Sequence, residues 1–142
     1  MRILGIDYGE RRIGLAISDE LGIAAHGLPT LRNTAEADVL EALRRLIEER
    51  GVEEIVVGLP RNMDGSLGPQ ANQAMRFAET LKPLGRKVHL LDERLTTERA
   101  RRTLSDAGIS RDEQRRRVDR MAAQFILQAH LDSSRRLKSE EA

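Results

Sequence analysis

Three acidic residues occupy positions where a carboxylate is seldom present merely to be solvated. Asp7 closes the apolar run Ile3-Leu4-Gly5-Ile6, and Gly9 just beyond it lets the chain turn close to a ligand. Glu93 follows a second apolar run, Val88 to Leu91. Asp119 precedes Ala122, Ala123 and Ile126 by three, four and seven residues, so a helix would carry all of them on one flank. Carboxylates without cysteine or histidine partners suit hard cations, Mg²⁺ or Mn²⁺, which accept oxygen ligands and keep waters for phosphate contacts. Two such ions about 3.5 to 4 Å apart can activate a water and stabilise the leaving oxygen of an in-line displacement. Taken singly, each acid is equally compatible with a cap or a surface charge. Asp92 competes with Glu93 for the second position; alternation continued from Leu91 puts the two on opposite sides, and Glu93 is preferred, although the pleat alone does not say which side matters.

The elements that must position these acids can be read from hydrophobic period. Ile3 to Asp7 and Arg12 to Ser18 form a β-hairpin with Gly9 in its turn, and Ile23 to Leu31 is a third strand interrupted by Gly27 and Pro29. From Thr34 to Arg50, Val39, Leu40, Leu43, Leu46 and Ile47 fall on one helical face, with Asn33 and Glu36 spaced as a capping pair and Gly51 as the stop. Glu54 to Gly58 is a strand buried on both faces. The segment Leu59 to Pro69 has the prolines and glycines of a mobile functional loop. A helix follows over Gln70 to Lys82, then the strand Val88 to Leu91, a helix from about Thr96 to Asp106 ended by Gly108, and a last helix that buries Val118, Met121, Ala122, Phe125, Ile126 and Ala129. Ser110 and Glu113 could cap this last helix early, or residues 111 to 116 could form a separate turn. A hairpin extended by βαβ crossovers defines an α/β chain with a mixed sheet and helices on both faces. The carboxyl ends of its parallel strands gather Asp7 and Glu93 in one crevice.

One domain over residues 1–137 with a frayed tail at 138–142 accounts for the 142 residues. The absence of cysteine excludes disulfides, thiolate zinc and cysteine nucleophiles. No apolar run approaches a membrane span or the core of a signal peptide, so a cytoplasmic chain without a membrane partner is expected. The net charge is +1, but residues 94 to 120 hold nine arginines and no lysine against five acids. Such a stretch is ordinarily a solvated helix surface. Because it joins the segments of Glu93 and Asp119, part of it must border the crevice, where guanidinium groups could grip phosphate. His26, His89 and His130 suit surface or packing roles, Asp64 suits a turn, and Tyr8, Phe77 and Phe125 are too few to stack single strands.

Four blocks in order carry a resemblance: Gly5-Ile6-Asp7-Tyr8-Gly9 with Arg12-Ile13-Gly14-Leu15-Ala16; Val57-Gly58-Leu59-Pro60 with Asn62-Met63-Asp64-Gly65-Ser66; Asp92-Glu93-Arg94-Leu95-Thr96-Thr97; and Val118-Asp119 with Ala122-Ala123 and Ile126-Leu127. The chain resembles, from Ile3 to about Leu131, the pre-16S rRNA nuclease family, also described as Holliday-junction-resolvase-like (YqgF-like), of the RNase H-like superfamily. The resemblance implies an RNase H-like fold, an acidic triad of Asp7, Glu93 and Asp119 that binds Mg²⁺ or Mn²⁺ and acts catalytically, and a loop after Pro60 beside the active site. It implies a divalent-metal-dependent endonuclease acting on precursor rRNA at the 5′ end of 16S rRNA, with ribosomal particles as further partners, or on branched DNA. Candidate substrate contacts are Arg12, Arg94, Arg116 and Arg117. Where the family often has lysine shortly before its Val-Asp pair, this chain has Arg115-Arg116-Arg117, and either residue type can contact phosphate.

Two other classes compete. An Asp-x-Gly hairpin also opens the actin and sugar-kinase type of nucleotide-binding fold, which needs a second domain to close its cleft. A nucleic-acid-binding module that has lost its chemistry should lack one or more of the acids, and this chain keeps all three.

Overall fold

The computed structural model describes residues 1–94 and 107–141, the side chains of 112, 114–120 and 138–141 excepted. Strands β1 (Arg2–Tyr8), β2 (Arg12–Ser18) and β3 (Ala25–Arg32) form an antiparallel meander. Helix α1 (Glu36–Arg50) crosses to β4 (Val52–Leu59), which pairs parallel with β1, and α2 (Pro69–Thr80) crosses to β5 (Lys87–Asp92), parallel with β4. The five-stranded sheet therefore runs β3-β2-β1-β4-β5. The last helix, α3 (Arg111–Glu141), is continuous past Lys138, where the composition suggests fraying. The helix expected over residues 96–106 lies outside the described residues.

The alternation of each strand divides its side chains between two cores. Leu4, Ile6, Ile55 and Val57 point to one face and pack with Val39, Leu43 and Ile47 of α1 and with Phe77 of α2. Ile3, Ala16 and Val56 point to the other and meet Ala123, Ile126, Leu127 and Leu131 of α3. Helices thus cover both faces, as the sequence pattern implies. On the α3 face glycine replaces bulk: a Cβ added at Gly5 would lie 2.7 Å from Leu127 Cβ and 3.1 Å from the Ala123 carbonyl oxygen. The helix can lie this close to the sheet only because position 5 has no side chain.

Three local devices fix the chain. Gly51 ends α1 in the left-handed region (φ 66°), its N–H bonded to the Ile47 carbonyl, as expected of a glycine stop. The expected Asn33 cap of α1 is not made: Ala35 is the N-cap, and Asn33 Nδ2 donates instead to the Gly9 carbonyl at 2.8 Å, tying the β1–β2 turn to the end of β3. Ser110 does meet its expected partner, since the Glu113 N–H points to Ser110 Oγ at 3.4 Å, and helix begins at Arg111 with no separate turn. At the other edge of the sheet, Gln128 Oε1 accepts from the Ala25 N–H at 2.9 Å, while Gln124 Nε2 and Gln128 Nε2 donate to the carbonyls of Ala25 and Ile23. The histidines His89 and His130 pack, their ring centroids 4.8 Å apart with His89 Nε2 3.1 Å from Glu54 Oε1.

Candidate active site

Asp7 stands at the end of β1 opposite Gly14 of β2. Because Gly14 has no side chain, the nearest neighbours of that bare position are Asp7 Cβ and Ala123 Cβ, so the Asp7 carboxylate emerges between the sheet and α3. Glu93 is fixed one residue beyond β5: its N–H donates to the Leu59 carbonyl at 3.1 Å, extending the β4–β5 ladder by one bond. Its carboxyl then folds over β4 at Gly58. A Cβ added there would lie 2.0 Å from Glu93 Oε1 and 2.5 Å from Ile126 Cδ1, so the glycine is what admits the carboxyl.

This placement strains the charge balance. Glu93 Oε1 is buried and has no hydrogen-bond partner among the described residues. Burial, and next the negative charge of Asp7 with which it shares a hydrogen bond, push the Glu93 carboxyl up from its ordinary 4.5 to about 8. Ionising both carboxyls of such a pair is costly unless a cation neutralises them. An orphaned buried oxygen, an adjoining acid and a donor set made only of oxygen fit a hard divalent ion. Among the described residues no three acids or histidines are grouped to hold a metal. Position 119 lies on α3 one turn before Ala123, but the Asp119 side chain falls outside the described residues.

Asp92 is engaged elsewhere. It accepts from the Arg94 backbone N–H at 3.0 Å, from Arg94 Nε at 3.1 Å and from Arg94 Nη2 at 2.7 Å. These bonds hold its carboxyl below the ordinary range. Arg94, expected to contact substrate, also donates through Nη1 to the Met63 carbonyl at 3.3 Å and so ties β5 to the loop 60–68. That loop, expected to be mobile, is organised around Asp64, which accepts from the Ser66 N–H at 2.9 Å and the Ser66 hydroxyl at 2.6 Å, as a turn former does. Arg12 is exposed at the start of β2. The side chains of Arg116 and Arg117 lie outside the described residues. Residue-by-residue reading of the acids missed the parts of Gly14 and Gly58; the signal for Gly58 was a lone glycine inside the β-branched run of a fully buried strand.

A mixed sheet opened by an antiparallel hairpin and covered by a last helix, with acids converging at the ends of its first and last strands, defines an RNase H-like fold. The solved structure of Thermus thermophilus RuvC in complex with a Holliday junction substrate shares this fold, with a TM-score of 0.61 at 16% identity over 95% of each chain. The family model described as "RuvX: Holliday junction resolvase" matches residues 1–133, and the chain belongs to that family. A protein of Moorella thermoacetica named "Putative pre-16S rRNA nuclease" is 52% identical over 93% of this chain and 95% of its own. One of the same name from Clostridium botulinum is 46% identical over 94% and 98%. Among the described residues no helix is long and apolar enough to cross a membrane.

Proposed function

We propose that this chain is a divalent-metal-dependent endonuclease in which Asp7, Glu93 and Asp119 hold the cations, and that it processes the 5′ end of precursor 16S rRNA in the cytoplasm. The observation that carries the reading is the buried Glu93 carboxyl, with its Oε1 unpartnered in the space Gly58 leaves and its charge opposed by that of Asp7. Mg²⁺ or Mn²⁺ held by these carboxylates would supply an activated water and charge neutralisation at the leaving oxygen. The protein's own part is to fix the carboxyls before substrate arrives: the β1–β2 ladder sets Asp7, the Leu59 carbonyl sets Glu93, and the apolar wall of Ile126 keeps bulk water from the inner oxygen. Asp92 has no ligand role here; it holds Arg94 across the loop 60–68. Arg12, Arg94, Arg116 and Arg117 supply phosphate contacts, and ribosomal particles are partners as carriers of the precursor. The relatives' common name supports the RNA substrate.

The family's description favours a second reading, cleavage of branched DNA. Incubating the purified protein with Mg²⁺ or Mn²⁺, and in parallel with chelator, on precursor rRNA and on a four-way DNA junction separates the two. Cleavage of the precursor alone is the expected result; cleavage of the junction alone favours the second reading. Equal activity with chelator overturns the metal assignment.

A further inference from the structure

β2 and β3 set two arginines against each other. Arg12 and Arg32 are register partners in the antiparallel ladder, and like charges directly opposite in such a pair weaken it. A bulge fixes this pairing: Ile13 faces Leu31 while Leu15 faces Leu28, so β3 has one residue more than β2 over this stretch. Both arginines and the adjacent Arg11 are exposed. Arg2, Arg44 and Arg94 each meet a carboxylate, at 3.3, 2.6 and 2.7 Å. Among the described residues none of the three hairpin guanidinium groups does. With Glu10, Thr30 and Asn33 they line an open cavity of about 630 Å³, in which the one acid, Glu10, is within 3.4 Å of Gln73 Nε2.

The position of this cluster gives it a direction. Gly14 pairs with Asp7, and Arg12 lies two residues before Gly14 on β2, hence on the face of the sheet that bears Asp7. Arg32 lies across from Arg12, two strands from Asp7, or about 10 Å at the usual strand spacing. Glu93, Asp7, Arg12 and Arg32 thus follow one another across the same end of the sheet. A charge repulsion that the fold tolerates beside an anion-handling site is relieved by an anionic polymer laid over it, and guanidinium forks match phosphate oxygens.

We propose that Arg12 and Arg32, with Arg11 beside them, clamp the phosphodiester backbone of the bound nucleic acid on the β3 side of the Asp7–Glu93 centre. The inference rests on the nuclease reading, and the test separates the two. Binding of a fluorescein-labelled RNA duplex and of a DNA duplex of the same sequence is measured without metal over a range of salt, for the parent, Arg32→Thr and Arg50→Thr. Arg50 lies at the far end of the sheet, where its carbonyl accepts from Arg2. Arg32→Thr should weaken binding to both duplexes and flatten the dependence of log affinity on log salt by about 0.7 to 0.9. It should also raise the melting temperature by about 1 to 4 °C, because the opposed charge is gone. Arg50→Thr should leave the slope as in the parent. An Arg32→Thr protein with the parent's slope overturns the clamp, as does an equal flattening in Arg50→Thr. A parent that binds neither duplex and cuts nothing overturns the nuclease reading itself.

Discussion

Both faces of the sheet carry a buried aliphatic core, but only the one toward α3 interrupts it with glycines around the acids. Against α1 and α2 the core is bulky, with Leu4, Ile6, Leu43, Ile55 and Leu81 almost wholly removed from water. Against α3, beside the buried Ile3, Val56, Ile126, Leu127 and Leu131, the sheet also presents Gly5, Gly14, Ala16 and Gly58, and the helix answers these with Ala123. Bulk on the first face supplies burial, which is where stability comes from. Smallness on the second gives up part of that burial so that a helix and two carboxyls can occupy one narrow space. Stability and chemistry are therefore separable on this molecule, and substitutions on the two faces should fail in different ways.

The largest loss is expected from Asp7→Asn, which keeps the shape of the side chain and removes its charge. Cleavage should fall by roughly 10³-fold or more while circular dichroism and melting stay near the parent's; activity within tenfold of the parent would remove Asp7 from the mechanism. Gly58→Ala comes next. Its Cβ must displace Glu93 Oε1 and Ile126 Cδ1, so cleavage should drop by about 10- to 100-fold at an overpacking cost of about 1 to 3 kcal/mol. Leu43→Ala on the bulky face should cost about 2 to 5 kcal/mol in denaturant unfolding, yet leave cleavage per folded molecule unchanged. If Leu43→Ala also disables folded molecules, or Gly58→Ala does not, the two faces are not separable.

A subtler comparison lies between neighbours. Glu93→Gln should abolish metal-dependent cleavage, whereas Asp92→Asn should retain most of it and loosen only the Arg94 tie to the loop, seen as faster proteolysis at residues 60–68. The reverse result would exchange their roles. An effect that needs no substrate is a pH dependence of the metal-free protein. Glu93 titrates at an ordinary 4.5 when unfolded and at about 8 when folded, so between those values the folded chain keeps a proton the unfolded chain has lost. That contribution to stability is complete below pH 4.5 and is lost as pH rises to about 8. Added Mg²⁺ or Mn²⁺ is expected to bind the ionised pair and so to stabilise more as pH climbs through the same window, and Glu93→Gln should remove both trends in melting temperature.

Much of this arrangement was legible in the residues, for identifiable reasons. Short apolar runs bounded by turn residues located β1 and β2, which are buried on both faces, and the period of 3.6 located α1 and α2, each of which buries one continuous face, all to within a few residues. Alternation from Leu91 separated Asp92 from Glu93, but which of them turns inward depends on Arg94, whose guanidinium folds back on Asp92, a tertiary choice that no pleat encodes. The Asn33–Glu36 spacing suggested a cap that is not made, since the same amide serves the Gly9 carbonyl across the hairpin. Gly58 could be read as a gap in a strand, but its meaning depends on Glu93, 35 positions away, returning to fill it.

The glutamines that α3 sends to the outer strand have a consequence for colloidal behaviour. A sheet normally ends in a row of unsatisfied donors and acceptors on which a strand of another molecule can build. Along β3 that row is broken at one end by Gln124 and Gln128, which bond Ala25 on both its N–H and its carbonyl. In the middle it is broken by the bulge and by Pro29, which has no N–H to offer. Neighbouring molecules therefore find no regular template for strand addition on this side, and the helix that approaches the acids also protects the chain from aggregating through its own edge.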